Sequence, residues 1–203
     1  MKKGLLFLAS LFIGLSVQSA TLPSDIKPSD LRVYGAENKD AIVYVFSSLT
    51  CPHCSVFHTD IMPDIKKEFV DSGKAKLIYV EMPGESKGLT GTLISRCINP
   101  EKYEDFMDIM FENQQVWAYA AKPRAIMTRF ATMLGGMTKD EVDACLLDQK
   151  LKETVLNQQM NLAKLYTIEA MPSVVIVKDN QTKKVQGADK VAIMNALKER
   201  LGQ

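Results

Sequence analysis

The stretch AIVYVFSSLTCPHCSVFH, residues 41–58, joins an apolar run to a closely spaced pair of cysteines. Its first six residues are apolar, β-branched or aromatic, which predicts a buried β-strand. Beyond the cysteines, apolar residues recur at helical spacing as far as Phe69, so a helix follows the strand directly. The tetrapeptide CPHC therefore lies between a strand and the first turn of a helix. Pro63, inside that helix, predicts a kink.

Strand patterns return at two later places in the chain. Residues 75–81 (AKLIYVE) predict a second strand, and residues 173–185 predict a β-hairpin that precedes a last helix ending near Leu201. Residues 84–166, which lie between them, show only helical patterns. Strands joined by crossover helices predict an α/β sheet, and the helical block interrupts it.

Two capping signals mark helix starts inside the helical block. Asn99 stands before Pro100, and proline suits the first turn of a helix. Thr138 and Glu141 have the spacing of a capping box, in which each side chain bonds to the backbone of the other residue. The block is therefore expected to hold several separate helices.

The chain begins with the features of a secretory signal peptide. Residues 1–20 (MKKGLLFLASLFIGLSVQSA) contain two early lysines, an uninterrupted run of apolar or small residues, and small residues at the end. The apolar run is short for a membrane span, although a retained anchor is the alternative. We expect removal of residues 1–20 and a periplasmic protein. Removing 20 of 203 residues leaves about 183, enough for one medium domain or a domain with an insertion.

The charge and the cysteine content of the chain indicate which classes of protein it can belong to. The chain has 25 basic and 24 acidic residues with no long block of either sign, so it lacks the basic surface of a nucleic-acid-binding protein. Nothing in the sequence indicates a cofactor. Thiols outside the cytosol tend to be oxidised, so the four cysteines of an exported chain predict two pairs.

One interpretation of the CPHC segment is a metal site. Cys51, Cys54 and His58 lie at i, i+3 and i+7 on one stripe of a helix, and cysteine and histidine are zinc ligands. A closed structural site needs four ligands, however, and no second CxxC or HxxxH motif supplies the fourth. Cys97 and Cys145 are the remaining candidates, far away in the helical block. His58 shares a face with apolar residues, which favours a partly buried structural histidine.

The other interpretation is a redox-active pair. At the first turn of a helix, free backbone N–H groups and the helix dipole stabilise an anion, here the thiolate of Cys51. Its pKa can then fall from about 8.5 into the range of about 3.5–7.5. Pro52 suits this turn because its missing N–H is not needed, and the protonatable ring of His53 stabilises the thiolate further. A stabilised reduced form makes a stronger oxidant, and we favour this interpretation.

With these motifs, the sequence resembles the DsbA family, the thioredoxin-fold thiol oxidases of bacterial cell envelopes. The resemblance covers nearly all of the chain after the signal peptide. It rests on CPHC, on Phe57-His58, on Gly73-Lys74 before the second strand, on the helical block and on AMPSVVIV, residues 170–177.

The resemblance implies the fold and its division. The fold class is α/β, a thioredoxin fold interrupted by an all-helical insertion domain. Residues 21–83 are then the first part of the thioredoxin domain, residues 84–166 the helical insertion, and residues 167–203 the second part of the thioredoxin domain.

The resemblance also implies roles for individual residues. Cys51 corresponds to the exposed cysteine, Cys54 to the buried one, and Pro172 to a cis-proline that faces them. Backbone beside this proline, at Met171, is expected to pair with a substrate peptide as an added strand. The sequence departs from the pattern of this family at two positions. Met171 stands before the proline, where many relatives carry valine or threonine. Val45 stands where some members bury a glutamate that accepts a proton.

The second cysteine pair lies in the helical block. Cys97 and Cys145 have no histidine or proline beside them, so a reactive thiolate is not expected at either position. We predict a structural disulfide, which closes a loop of about 49 residues and stabilises by about 4 kcal/mol in the chain-entropy model. Two buried, unpaired cysteines are the alternative. Some members of the resembled family carry an extra disulfide in the insertion.

The predicted function is an exported thiol:disulfide oxidoreductase that donates the Cys51–Cys54 disulfide to newly exported proteins with free cysteines. By resemblance, its reoxidant is a quinone-coupled membrane oxidase of the DsbB or vitamin-K-epoxide-reductase type. A disulfide isomerase or reductase is the nearest alternative. A metal-binding protein using Cys51, Cys54 and His58, or an exported interaction protein without turnover, are alternatives from other classes.

Overall fold

The computed structural model describes residues 26–27, 31–36, 39 and 41–202. The expected signal peptide, residues 1–20, lies outside these described residues. The strands are β1 Arg32–Tyr34, β2 Ile42–Ser47, β3 Lys76–Glu81, β4 Ser173–Lys178 and β5 Gln181–Gln186. The α-helices are α1 Pro52–Val56, α2 Met62–Ile65, α3 Ser86–Cys97, α4 Tyr103–Glu112, α5 Gln114–Ala118, α6 Pro123–Met133, α7 Lys139–Leu147, α8 Gln149–Leu165 and α9 Lys190–Leu201.

The described strands form one mixed sheet in the order β1-β3-β2-β4-β5. The central strands β2 and β3 are parallel, as expected when a helix connects them, and the other pairs are antiparallel. The predicted hairpin is confirmed, and its turn residues Asp179 and Asn180 adopt φ values of 51° and 56°. The sequence pattern missed β1, which is three residues long and lies at the edge of the sheet.

The helix after CPHC continues from α1 to residue 70 but is not uniformly α-helical. The segments Phe57–Ile61 and Lys66–Val70 are π-helical, on either side of α2. Pro63 lies in the first turn of α2, and the N–H of Met62 bonds to the carbonyl of Phe57 five residues earlier. Proline has no N–H to donate within a helix. The wider π-helical turn before Pro63 lets the chain remain helical without that hydrogen bond. The irregularity predicted at Pro63 therefore takes the form of π-helical turns.

Both faces of the sheet are covered by helices. One core contains the inward residues of β2 and β3, the helix from α1 to residue 70, α9 and much of the helical block. The other contains alternate residues of the same strands, such as Tyr44 and Phe46, packed against Leu162 and Tyr166 at the end of α8. The alternation of strand side chains produces this division. Helix α8, which single-segment patterns did not reveal, closes the second face.

The helical block is anchored to the sheet by a buried ion pair. Arg96 of α3 donates to both carboxylate oxygens of Glu81, the last residue of β3, at 2.8 and 2.5 Å. Tyr103 donates to the same carboxylate at 3.2 Å, and Arg96 donates to Gln158 of α8 at 2.9 Å. A buried charge pair is tolerated when hydrogen bonds satisfy its remaining groups. The capping signals at Asn99 and Thr138 are confirmed.

Candidate active site

The CPHC segment lies where β2 gives way to α1. Cys51 caps the helix with extended backbone angles, φ −87° and ψ 120°, and Pro52 occupies the first helical turn. Cys51 is partly exposed, whereas Cys54, one turn later on the inward side, is fully buried. Both are free thiols in this structure. The strand–CPHC–helix arrangement expected from the sequence is thus confirmed, with one cysteine open to solvent.

The surroundings of Cys51 stabilise its thiolate. Its pKa is lowered from the ordinary value to about 6, chiefly because the Cys54 thiol hydrogen-bonds to it. Partial burial opposes this shift, while the backbone N–H groups of Cys54 and His53 lower the pKa further. The positive charge of His53 has the smallest effect. The sequence pattern attributes the stabilisation to the helix start and His53, whereas the largest contribution comes from Cys54.

Cys54 shows the opposite behaviour. Its pKa is raised far above the ordinary value, because its thiol is bonded to the Cys51 thiolate and because it is buried. The Ser47 side chain and the backbone N–H of Ser48 oppose the rise. That N–H lies 3.4 Å from Cys54 Sγ. In the reduced pair, Cys51 is therefore the thiolate and Cys54 the thiol.

The loop before β4 brings Met171 and Pro172 to the cysteines. Strands β2 and β4 are antiparallel, with Phe46 opposite Ser173, so the end of β2 and the start of β4 meet at one edge. The Met171–Pro172 peptide bond is cis. Cys51 Sγ lies 3.7 Å from the carbonyl oxygen of Met171. The structure therefore brings these two residues and the CPHC segment together.

Gln114 contacts the active-site segment from the helical block. It is 3% exposed, and its Nε2 donates to the carbonyl oxygens of Leu49 at 2.7 Å and Cys51 at 3.0 Å. It begins α5, so a short helix of the insertion holds the segment from outside the sheet. No local pattern identified Gln114, because its partners are more than 60 residues away in the chain.

His58 contacts residues of α4. Its Nε2 bonds to Asp108 of α4 at 2.7 Å, and its ring stacks on Phe111 with centroids 4.4 Å apart. Among the described residues, Cys51, Cys54 and His58 do not form a group that could hold a metal ion, and no other such group of three or more His, Cys, Asp or Glu side chains occurs there. The sequence predicts a partly buried structural histidine here, and the structure shows His58 buried, with 9% of it exposed.

Cys97 and Cys145 form a disulfide that is separate from the active-site segment. Their Cα atoms are 6.3 Å apart and their sequence separation is 48 residues. The bond joins the last residue of α3 to α7, so it closes one side of the helical block. Cys145 is buried, and its Sγ lies 3.0 Å from the carbonyl oxygen of Leu93. Cys97 is exposed.

Comparisons with known proteins agree with this geometry. A family model described as Thioredoxin matches residues 28–195, most of the chain. The chain belongs to the thioredoxin family. Among solved structures, alpha-DsbA1 from Wolbachia pipientis is similar with a TM-score of 0.77 and 25% sequence identity, over 89% of this chain and 94% of that one. The resemblance to the DsbA family and the thioredoxin fold with a helical insertion are confirmed.

Curated relatives point in the same direction. A Rickettsia typhi protein, whose name gives protein-disulfide oxidoreductase as its proposed activity, is 30% identical over 142 residues, or 70% of this chain and 52% of that protein. Disulfide bond formation protein D from Bacillus subtilis is 28% identical over 152 residues, or 70% of this chain and 68% of that protein. The chain spans about half the length of the first Rickettsia relatives that it matches.

Proposed function

We propose that this thioredoxin-family protein is an exported thiol:disulfide oxidoreductase that donates its Cys51–Cys54 disulfide to newly exported proteins. The observation that carries the proposal is the division of the pair into two unlike thiols. Cys51 is accessible with a pKa of about 6, and Cys54 is buried with a raised pKa. A disulfide whose reduced form is stabilised in this way is an oxidant. The names of the relatives support the same class of reaction.

The reaction runs through a mixed disulfide. A substrate thiolate attacks Cys51 Sγ, the S–S bond breaks, and its electron pair goes to Cys54 Sγ. A second substrate thiol then attacks the mixed disulfide and expels Cys51 as a thiolate, and the proton of that thiol passes to Cys54. Cys51 is the good leaving group because its thiolate is stabilised, and the products are a substrate disulfide and the reduced pair.

The substrate binds beside Pro172. The carbonyl of Met171 faces Cys51, so an extended peptide that pairs with this backbone places its own sulfur near Cys51 Sγ. Pro52 and His53, both exposed, border the same opening. The substrate is therefore an unfolded segment with a free cysteine, bound through its backbone.

Location, reoxidation and domain limits form a second part of the proposal. Residues 1–20 act as a signal peptide, so the chain works in the periplasm. No helix among the residues that the structure describes is long and apolar enough to cross a lipid bilayer. A quinone-coupled membrane oxidase, DsbB-like or vitamin-K-epoxide-reductase-like, reoxidises the pair.

The proposed domain limits are 21–83, 84–166 and 167–203. They are supported by the connecting segments between β3 and α3 and between α8 and β4, which lie at these limits.

A redox titration in glutathione buffers tests the proposed function. Free thiols are trapped and counted by mass at each ratio of reduced to oxidised glutathione. We expect one pair to titrate near the value of about −120 mV of strong oxidants while the other stays bonded. A midpoint potential of about −270 mV would instead indicate a reductase. If no cysteine pair is reversibly reduced and the protein holds stoichiometric metal, it is a metal-binding protein.

A further inference from the structure

Two buried hydroxyl groups on the cysteine side of the sheet lack hydrogen-bond partners. Ser47 is 1% exposed and Tyr79 is 2% exposed. Neither hydroxyl makes a hydrogen bond of ordinary geometry with any other described group. Burying a hydroxyl without a partner costs folding free energy, so such groups are uncommon in native proteins. These two hydroxyls lie on the side of the sheet that carries the cysteine pair, whereas the unpartnered hydroxyls of Tyr44 and Tyr166 lie on the other side.

Sheet geometry places both hydroxyls on the face that Cys54 packs against. In the parallel pair of β2 and β3, Val45 is opposite Tyr79 and Ser47 is opposite Glu81. Residues two apart in a strand point to the same face, so Ser47 lies diagonally next to Tyr79. Val45, Tyr79 and Cys54 belong to the same core. Val45 is apolar, so Ser47 is the polar residue that β2 directs to this face.

The electrostatics of the three groups are consistent with this proximity. Burial raises the pKa of Tyr79, the nearby Ser47 hydroxyl opposes that rise, and Cys54 adds to it. Ser47 also opposes the rise in the pKa of Cys54 that its bond to Cys51 and its burial cause. Among the described titratable groups around Cys54, Cys51 faces it from α1 and Tyr79 from β3. Glu81, further along β3, is paired with Arg96.

We propose that the Ser47 hydroxyl donates a hydrogen bond to Cys54 Sγ when that sulfur leaves as a thiolate, and that Tyr79 positions it by donating its own O–H to the serine oxygen. The proposal deepens the proposed function and rests on it. Ser47 is then a catalytic residue, because it touches a reacting atom, and Tyr79 is a positioning residue.

The hydrogen bond acts at one step of the reaction. When a substrate thiolate attacks Cys51, the S–S bond breaks and the electron pair goes to Cys54 Sγ, without any proton transfer. Rotation of the Ser47 hydroxyl directs its proton toward the new negative charge, where the N–H of Ser48 already points. The second substrate thiol later delivers the proton that makes Cys54 a thiol. Ser47 therefore stabilises the mixed-disulfide intermediate more than either end state.

The first experiment measures the pKa of Cys54 in a Cys51→Ala background, by ultraviolet absorbance of the thiolate against pH. We expect Ser47→Ala to lower the thiolate fraction at a fixed pH below the pKa by about tenfold or more, since a hydrogen bond to a charged group is lost. Tyr79→Phe gives a smaller fall in the same direction. Tyr44→Phe is the matched control, because its hydroxyl is also buried without a partner but lies on the other face of the sheet.

The second experiment separates catalysis from structure. Oxidised protein is mixed with reduced glutathione, and the rate of attack is compared with the equilibrium midpoint of the pair. Ser47→Ala should slow attack by about tenfold and leave the midpoint unchanged, because the thiolate of Cys54 exists only in the intermediate. Ser47→Thr, which keeps the hydroxyl, should restore the rate.

Two outcomes overturn the inference. One is a thiolate fraction of Cys54 that changes in neither Ser47→Ala nor Tyr79→Phe. If Ser47→Ala does not fold, an unchanged thiolate fraction in Tyr79→Phe is enough to overturn the inference. The other is an equal shift in rate and midpoint, which is the behaviour of a structural residue. A wild-type pair that does not exchange with glutathione contradicts the proposed function, whereas the pKa comparison in the Cys51→Ala background still decides the role of Ser47.

Discussion

The two cysteine pairs of this protein have the same chemistry but different surroundings. Around Cys51 and Cys54, hydrogen-bond donors face the sulfurs: the N–H of Ser48 and the N–H groups at the start of α1. Cys145 has the carbonyl oxygen of Leu93 at 3.0 Å, closer than the 3.7 Å between Cys51 Sγ and the carbonyl oxygen of Met171. A donor stabilises a thiolate and a carbonyl oxygen repels one. The surroundings therefore make the first pair easy to reduce and favour the bonded state of the second.

The largest expected effect follows from removing the accessible sulfur. Cys51→Ser should reduce oxidation of a peptide with two cysteines to the level of buffer alone, because no sulfur remains for a substrate to attack. The measurement is peptide disulfide formed per mole of protein. The double variant Cys97→Ala with Cys145→Ala is the control and should keep its activity. Residual oxidation by Cys51→Ser would assign redox activity to the second pair.

Removing the second disulfide tests its structural role. The double variant Cys97→Ala with Cys145→Ala should lose about 4 kcal/mol of unfolding free energy, since the bond closes a long loop of the unfolded chain. Urea unfolding of the oxidised proteins measures this loss. A double variant as stable as the wild type contradicts a structural role for the bond.

Gln114 connects the block that holds the second pair to the segment that holds the first. Gln114→Leu should lower the unfolding free energy by about 1–3 kcal/mol, because the carbonyls of Leu49 and Cys51 lose a buried donor. Gln115→Leu, at the exposed neighbouring position, is the matched control and should change stability little. Equal effects of the two substitutions in urea unfolding would show that Gln114 has no special role.

The pH dependence of alkylation distinguishes the pairs directly. Because the pKa of Cys51 is lowered to about 6, its alkylation rate should be nearly constant above pH 7 and fall about tenfold per pH unit below 6. A lowered pKa stabilises the reduced folded state above the ordinary thiol pKa, and this stabilisation is lost as pH falls through about 6. Labelled sites are identified by mass. Cys97 and Cys145 should stay unlabelled, and a midpoint near 9 contradicts the lowered pKa.

His53→Ala should have the smallest effect of these substitutions. Its charge makes the last and smallest contribution to the low pKa of Cys51, so His53→Ala should raise that pKa by less than about one unit. The same alkylation profile measures the change. A rise of two units or more would restore the larger role that the sequence pattern suggested for this residue.

Much of the fold and the position of the CPHC segment could be predicted, because they depend on local sequence patterns. The runs in β2 and β3, the hairpin and the placement of CPHC follow from side-chain periodicity and helix-start geometry within a few residues. β1 could not be predicted, because three residues are too short to show a period. Its strand character comes from pairing with β3, which lies more than 40 residues away.

The sequence by itself determined that two cysteines at a helix start follow a buried strand in a chain with an interrupted α/β pattern. Only the tertiary structure decided what surrounds the sulfurs. Gln114 donates to Leu49 across 65 residues, and strand pairing places Tyr79 opposite Val45, in the core that also contains Cys54. The disulfide between Cys97 and Cys145 was expected from the sequence, whereas its place between α3 and α7 became known only from the structure. Such contacts depend on how elements far apart in the chain pack together, and the spacing of neighbouring residues does not show that packing.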